Sequence, residues 1–335
     1  RGRPDGRAGV RVVRLLQAAA AAPGRVDVTP PAAGPAARWS AEFVEIDASD
    51  GRRLEGLLHH PRGPRQPTGA DLLEGRAAPA AARASVLLLH GKGANCYSGV
   101  SRFLPPLLAD AGIRTLALNM RSHDLGYTRM DVPFVDLEDG PAQVDGGMWE
   151  NLVTAQLDVA AGIRFLIDEG APEVALCGHS SGGFYAALHD PADVRVSSRV
   201  LLSPLVSQRR PLDLWFGGEG ELAGALALAR DMVEAGRGEQ LIPTPLWYYA
   251  ISARALLQRA AEPDGRFVGA LAGCGAPILV AWGSLEGRGE DWDALAGQFP
   301  HVSAGVIEGA EHNYLGSEES VARLVADHAF ASLRY

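Results

Sequence analysis

Val174-Ala175-Leu176-Cys177-Gly178-His179-Ser180-Ser181-Gly182-Gly183-Phe184 joins a short apolar run to a G-x-S-x-G pattern and then to helix-forming residues. The order reads as strand, sharp turn and helix. A serine in such a turn takes a strained backbone that only small neighbours permit. Gly178 and Gly182 therefore make room, and the Ser180 hydroxyl stands clear of the sheet edge. The first turn of the helix leaves N–H groups without intrahelical partners, so the Ser181 amide is free to meet a developing oxyanion. The five-residue pattern alone fits a glycine-rich turn around a buried serine equally well, and the surrounding chain has to decide.

Working outward, residues 86–90 form a continuous apolar run, Val86-Leu87-Leu88-Leu89-His90, that ends in Gly91-Lys92-Gly93. Such runs belong to strands buried on both faces of a parallel sheet, with ligand-binding loops at their carboxyl ends. Leu104, Leu107, Leu108 and Ala111 recur at helical spacing, and residues 115–118 are the next short strand. Residues 119–145 read as a long loop, and an apolar stripe from Trp149 through Ile163 predicts a helix ending near Gly170. Strands follow at 200–202, 278–282 and 302–307, with helices at 292–299 and around Val321, Leu324, Val325 and His328. Upstream, Phe43 to Leu58 reads as a hairpin, and the Pro-, Gly- and Ala-rich stretch 61–83 as an exposed loop. The alternation predicts an α/β fold with a mostly parallel central sheet flanked by helices.

Residues 205–265 break that alternation, because 222–233 and 247–260 read as successive helices with no strand between them. They are expected to form a helical cap inserted into a core of 39–204 and 266–335, with Trp215, Trp247 and Tyr248 placed to line an apolar substrate pocket or to fill the cap core. Residues 1–38 read as a disordered Arg-, Ala- and Pro-rich segment, with only a faint likeness to a signal peptide.

A hydrophobic content of 47% over 335 residues supplies a sizeable globular core, and a formal net charge of −9 excludes a strong pull toward nucleic acid or anionic membrane. Cys96, Cys177 and Cys274 are too few and too dispersed for a disulfide framework or a zinc site. A cytoplasmic location is expected, with no metal, no cofactor and no membrane span; the oligomeric state is left open.

The carboxyl ends of the predicted strands carry the reactive side chains: Ser180, then Glu286 in Gly283-Ser284-Leu285-Glu286, then His312 in Glu308-Gly309-Ala310-Glu311-His312. A serine hydroxyl needs an imidazole to take its proton and a carboxylate to orient that imidazole. In the order of these residues, in the elbow and in Leu89-His90-Gly91-Lys92-Gly93, the chain resembles the α/β-hydrolase superfamily from about Trp39 to the C-terminus, apart from the helical insertion. The resemblance implies Ser180 as nucleophile, His312 as general base and then acid, Glu286 as orienting carboxylate, and an oxyanion hole from the amides of Lys92 and Ser181. The family more often has aspartate in the acid's place, so Asp291 remains an alternative to Glu286. The Lys92 side chain is expected to be an exposed loop lysine, and His90, His179 and His123 are expected to be structural.

The expected function is a serine hydrolase that cleaves a small-molecule carboxylic ester or thioester through an acyl-enzyme on Ser180. A non-catalytic ligand-binding protein of the same fold is the alternative outside enzymes. Acyltransferase, peptidase and carbon–carbon bond hydrolase are alternatives within them.

Overall fold

Val174 to His179 is the central strand of an eight-stranded sheet, with four strands on one side of it and three on the other. The computed structural model describes residues 39–61, 84–128, 144–246, 250–287 and 291–333. In chain order the sheet strands are β1 (Trp39–Asp47), β2 (Arg53–Pro61), β3 (Ser85–Leu89) and β4 (Arg114–Asn119). A short antiparallel pair, β5 (Tyr127–Thr128) and β6 (Val144–Asp145), lies outside the sheet. The sheet continues with β7 (Val174–His179), β8 (Val196–Leu202), β11 (Ile278–Gly283) and β12 (Val302–Ile307), the intervening β9 and β10 being described below. The order is β1-β2-β4-β3-β7-β8-β11-β12, antiparallel from β1 to β4 and parallel from there onward.

Alternation along the strands splits the core in two. Leu87, Leu89, Leu116, Leu118, Val174 and Leu176 face one layer, while Val86, Leu88, Ala117, Ala175 and Cys177 face the other. The first layer is covered by α2 (Ala155–Asp168), α3 (Ser181–Leu188), α7 (Arg266–Gly273) and α8 (Trp292–Ala296), through Val159, Phe184, Phe267 and Trp292. The second is covered by α1 (Val100–Asp110) and α9 (Glu318–Ala331), through Leu104, Leu108, Val321 and Val325. Both faces of β3 and β7 are buried, which is why their sequences are apolar throughout rather than alternating. Each buried leucine or valine contributes roughly 1.5–3 kcal/mol.

Between β8 and α7 the chain forms α4 (Arg210–Phe216), α5 (Glu219–Glu234), the antiparallel pair β9 (Leu241–Pro243) and β10 (Ala250–Ser252), and α6 (Ala253–Ala260). These elements share an apolar cluster of their own, including Leu212, Trp215, Phe216, Leu222 and Leu256. The helix read from Trp247 begins at Ala253, where the Ser252 hydroxyl caps the Ala255 amide at 3.2 Å. The helix read from Trp149 begins at Ala155. A short 3₁₀ turn, Gly147–Trp149, precedes it, and the Asn151 side chain accepts from the Val153 and Thr154 amides. The stretch read as a loop over 119–145 contains the β5–β6 pair.

The segment 1–38, most of the loop 61–83, and Trp247 and Tyr248 lie outside the described residues. Among the described residues no helix is long and apolar enough to cross a membrane, and no group of three His, Cys, Asp or Glu side chains is placed to hold a metal ion. The three cysteines are buried and free.

Candidate active site

Ser180 sits between β7 and α3 at φ 55°, ψ −118°. A non-glycine residue stays in that left-handed region only when its surroundings hold it there. Here the Ser180 amide donates to Leu202 O at 2.9 Å, and its carbonyl accepts from the Gly183 and Leu205 amides at 3.0 Å each. The two flanking glycines are steric requirements. A Cβ on Gly178 would lie 2.2 Å from Gly182 O, and one on Gly182 would lie 2.2 Å from Leu89 O.

Glu286 and His312 come from the turns after β11 and β12. His312 Nδ1 and Glu286 Oε2 are 2.8 Å apart, and Glu286 Oε1 accepts from the Gly283 amide at 2.8 Å and from the Ser203 hydroxyl. The two turns are locked together by the Leu285 amide on Ala310 O at 2.9 Å. A Cβ on Gly283 would come within 2.3 Å of that same carbonyl. Burial by itself raises the Glu286 carboxyl, but the hydrogen bonds from His312 and Ser203 hold it below its ordinary value. Asp291 is turned to other work: its carboxylate caps α8 through the Ala294 amide at 3.0 Å.

Ser203 and Tyr314 belong to this arrangement and carry no motif. Ser203 follows β8 at φ 43°, Tyr314 follows His312 at φ 60°, and their hydroxyls are 2.5 Å apart, with Tyr314 also donating to Ala281 O at 3.2 Å. Two non-glycine residues in the left-handed region beside one carboxylate mark backbone strain concentrated at the site. The signal open to sequence reading was position alone, since Ser203 follows an apolar strand as Ser180 does.

A cavity of about 220 Å³ opens beside Ser180 and is lined by His90, Lys92, Ser98, His312 and Asn313 among others. Among the described residues no hydrogen bond joins the Ser180 hydroxyl to His312, and neither the Lys92 nor the Ser181 amide donates a backbone hydrogen bond. Such contacts commonly tighten only when substrate is bound. Gly91 brings the loop after β3 against Ser180, for a Cβ there would lie 3.2 Å from the Ser180 Cβ.

The Lys92 side chain differs from the exposed loop lysine that the sequence suggests. It is 11% exposed, and its ammonium donates to Gly147 O at 2.5 Å and to Glu150 Oε2 at 3.2 Å. Burial, reinforced by the neighbouring Arg259, lowers the Lys92 ammonium from 10.5 to about 8 against the opposing pull of Glu150. For Glu150 burial acts upward, yet Lys92 and Arg259 together bring its carboxyl down to about 2. Trp215 lies in the apolar cluster of α4 to α6, its ring centroid 5.8 Å from the Lys92 ammonium and 5.4 Å from the Arg259 guanidinium.

The other histidines are held in structural contacts. His90 Nδ1 lies 2.8 Å from Gly91 O, and its Nε2 accepts the Met120 amide at 3.2 Å. His179 Nε2 lies 2.8 Å from His312 O, and burial together with the nearby His312 lowers its pKa to about 4. His123 pairs with Asp124 and stacks on Tyr127, with 4.1 Å between ring centroids.

Residues 86–327 match the model of the alpha/beta hydrolase family. Among solved structures the chain is similar to Est1E from Butyrivibrio proteoclasticus, at 15% identity and a TM-score of 0.54, over 88% of this chain and 99% of that one. It is also similar to the alpha/beta hydrolase GrgF from Penicillium sp. sh18, at 13% identity and a TM-score of 0.61, over 88% and 100%. A third similar structure is the Pyrococcus furiosus esterase Pf2001, at 16% identity and a TM-score of 0.56, over 88% and 92%. At such identities the likeness is one of fold. No curated protein matches the chain by sequence.

Proposed function

Because the chain belongs to the alpha/beta hydrolase family, we propose that it is a serine hydrolase cleaving a small carboxylic ester or thioester through an acyl-enzyme on Ser180. The observation that carries this reading is the Glu286–His312 pair at 2.8 Å, with His312 and Ser180 on the wall of one cavity. With Nδ1 engaged by the carboxylate, Nε2 is the imidazole nitrogen left to take the Ser180 proton. The hydroxyl oxygen then attacks the carbonyl, and the oxyanion rests on the Lys92 and Ser181 amides. His312 returns the proton to the leaving alcohol or thiol, and then activates the water that releases the acid and regenerates Ser180. Residues 205–265 act as the cap over this site, and the esterase named among the similar structures is in keeping with an ester as substrate.

The test is hydrolysis of p-nitrophenyl esters of increasing acyl length by the wild type and by Ser180→Ala, with fluorophosphonate labelling of both. Turnover and labelling that vanish in the variant are expected, with short acyl chains preferred because the cavity holds only about 220 Å³. Absence of both in the wild type overturns the reading in favour of a binding protein of the same fold.

A further inference from the structure

The stretch that carries the Lys92 amide is short and flanked by Gly91 and Gly93, the latter at φ 68°. A glycine-flanked peptide has wide conformational freedom, so something beyond its own backbone must hold the Lys92 amide in one orientation. The lysine side chain leaves the cavity and enters a buried cluster around Glu150, a residue 2% exposed in the turn that precedes α2. Glu150 Oε2 receives Lys92 and Arg259, while Oε1 receives the Tyr185 hydroxyl at 2.5 Å. Tyr185 stands on α3, one turn after Ser181. Arg259 stands on α6, is fully buried, and also donates to Gln208 Oε1.

One carboxylate thus ties together the loop that presents the Lys92 amide and the helix whose first amide is Ser181. A third tie reaches into the inserted 205–265 segment. Stability does not account for the arrangement, since well-packed apolar groups in place of a buried ion cluster commonly do as well or better. Holding two amides at a set spacing does account for it, because preorganised donors stabilise an oxyanion only when they are already in place.

We infer that Glu150 is a positioning residue: through Lys92 on one side and Tyr185 on the other it sets the spacing of the two oxyanion amides, and through Arg259 it links that spacing to the seating of the 205–265 segment. The inference rests on the acyl-transfer reading and adds to it a group that never touches substrate.

The experiment compares wild type, Lys92→Met, Glu150→Gln and Tyr185→Phe. Lys92→Met cuts the loop's tie, and Tyr185→Phe cuts the helix's tie while keeping every charge. For each, kcat and KM for p-nitrophenyl acetate are normalised to the fraction of Ser180 titrated by a fluorophosphonate, and Tm is recorded. Complete loss of an oxyanion donor lowers kcat about 10²- to 10³-fold, so displacement of one should lower kcat per active site about tenfold. The same loss is expected in the rate of phosphonylation, with KM within about twofold of wild type. If kcat per titrated site equals that of wild type in Tyr185→Phe and in whichever charge variants fold, whatever the change in Tm, the cluster is structural only and the inference falls. If wild type itself neither labels nor turns over, it is the hydrolase reading that has failed, and this inference fails with it.

Discussion

Glu286 Oε2 lies 2.8 Å from His312 Nδ1, while the Asp291 carboxylate, five residues further along, accepts from the Ala294 amide at the start of α8. Either carboxylate fits the sequence pattern, and the longer glutamate side chain reaches the imidazole from the turn that follows β11. Glu286→Gln should therefore lower kcat about 10³- to 10⁴-fold, the loss that follows removal of an orienting carboxylate in serine hydrolases. Asp291→Ala should keep its activity and lose about 1 kcal/mol of stability through the missing cap. Ester hydrolysis and urea denaturation of the two variants separate the roles. The opposite pattern of activity makes Asp291 the acid.

The elbow glycines make a second, steric prediction. An added methyl on Gly182 would lie 2.2 Å from the Leu89 carbonyl, with backbone on both sides and nothing able to yield. Gly182→Ala should lose more than about 4 kcal/mol or fail to fold. Gly224, within α5, meets nothing within 4 Å of the same methyl, so Gly224→Ala should gain about 0.5–1 kcal/mol from helix propensity. Soluble yield and denaturation midpoints test the contrast. A Gly182→Ala protein of ordinary stability would mean that β3 and α3 are not in this close approach.

Residues 86–89 and 174–177 are apolar on both faces because the sheet buries both, so the strands could be read directly in the sequence. The positions of Ser180, Glu286 and His312 at strand ends, and the pairing of Glu286 with His312, could be read because each follows a strand. The Glu150 cluster could not. Its members Lys92, Tyr185 and Arg259 are separated from Glu150 by 58, 35 and 109 residues, and no local pattern records a side-chain meeting between distant segments. Lys92 reads as a loop lysine for the same reason: its burial depends on a carboxylate that only the fold supplies. The start of α6 shows a milder limit, since apolar residues before Ser252 extend a helical pattern that the capping hydroxyl ends.

Ser203 yields a prediction about the strained residues beside Glu286. Its hydroxyl donates to Glu286 Oε1 and stands 2.5 Å from the Tyr314 hydroxyl, so it fixes the carboxylate oxygen that does not face His312. Loss of a hydrogen bond to a charged group weakens its placement by about 1.5–3 kcal/mol. Ser203→Ala should accordingly lower kcat about tenfold with little change in KM, because the imidazole is oriented less well while the cavity is untouched. Steady-state kinetics decide it: a raised KM at constant kcat would assign Ser203 to substrate contact instead.

His90 makes the protein acid-sensitive in a defined window. It is 4% exposed, and its Nε2 accepts the Met120 amide, which only the neutral ring can do while Nδ1 donates to Gly91 O. Burial is the main cause that lowers its pKa from 6.5 to about 4. Between those two values the unfolded chain binds a proton that the folded protein refuses, so the stability supplied by the neutral ring is complete above pH 6.5 and is lost as pH falls toward 4. A shift of that size corresponds to a loss of roughly 3 kcal/mol across the window. His90→Gln, whose amide can accept from Met120 at any pH, should start less stable at pH 7 and lose about 3 kcal/mol less than wild type on going to pH 4. Urea denaturation at both pH values tests this, and parallel losses in the two proteins would show that His90 is not the group responsible. Because Gly91 lies between His90 and Lys92, protonation of this ring also breaks the hydrogen bond that anchors the loop to the Met120 backbone. Activity of the folded wild type should therefore fall as pH approaches about 4, where the ring takes up its proton.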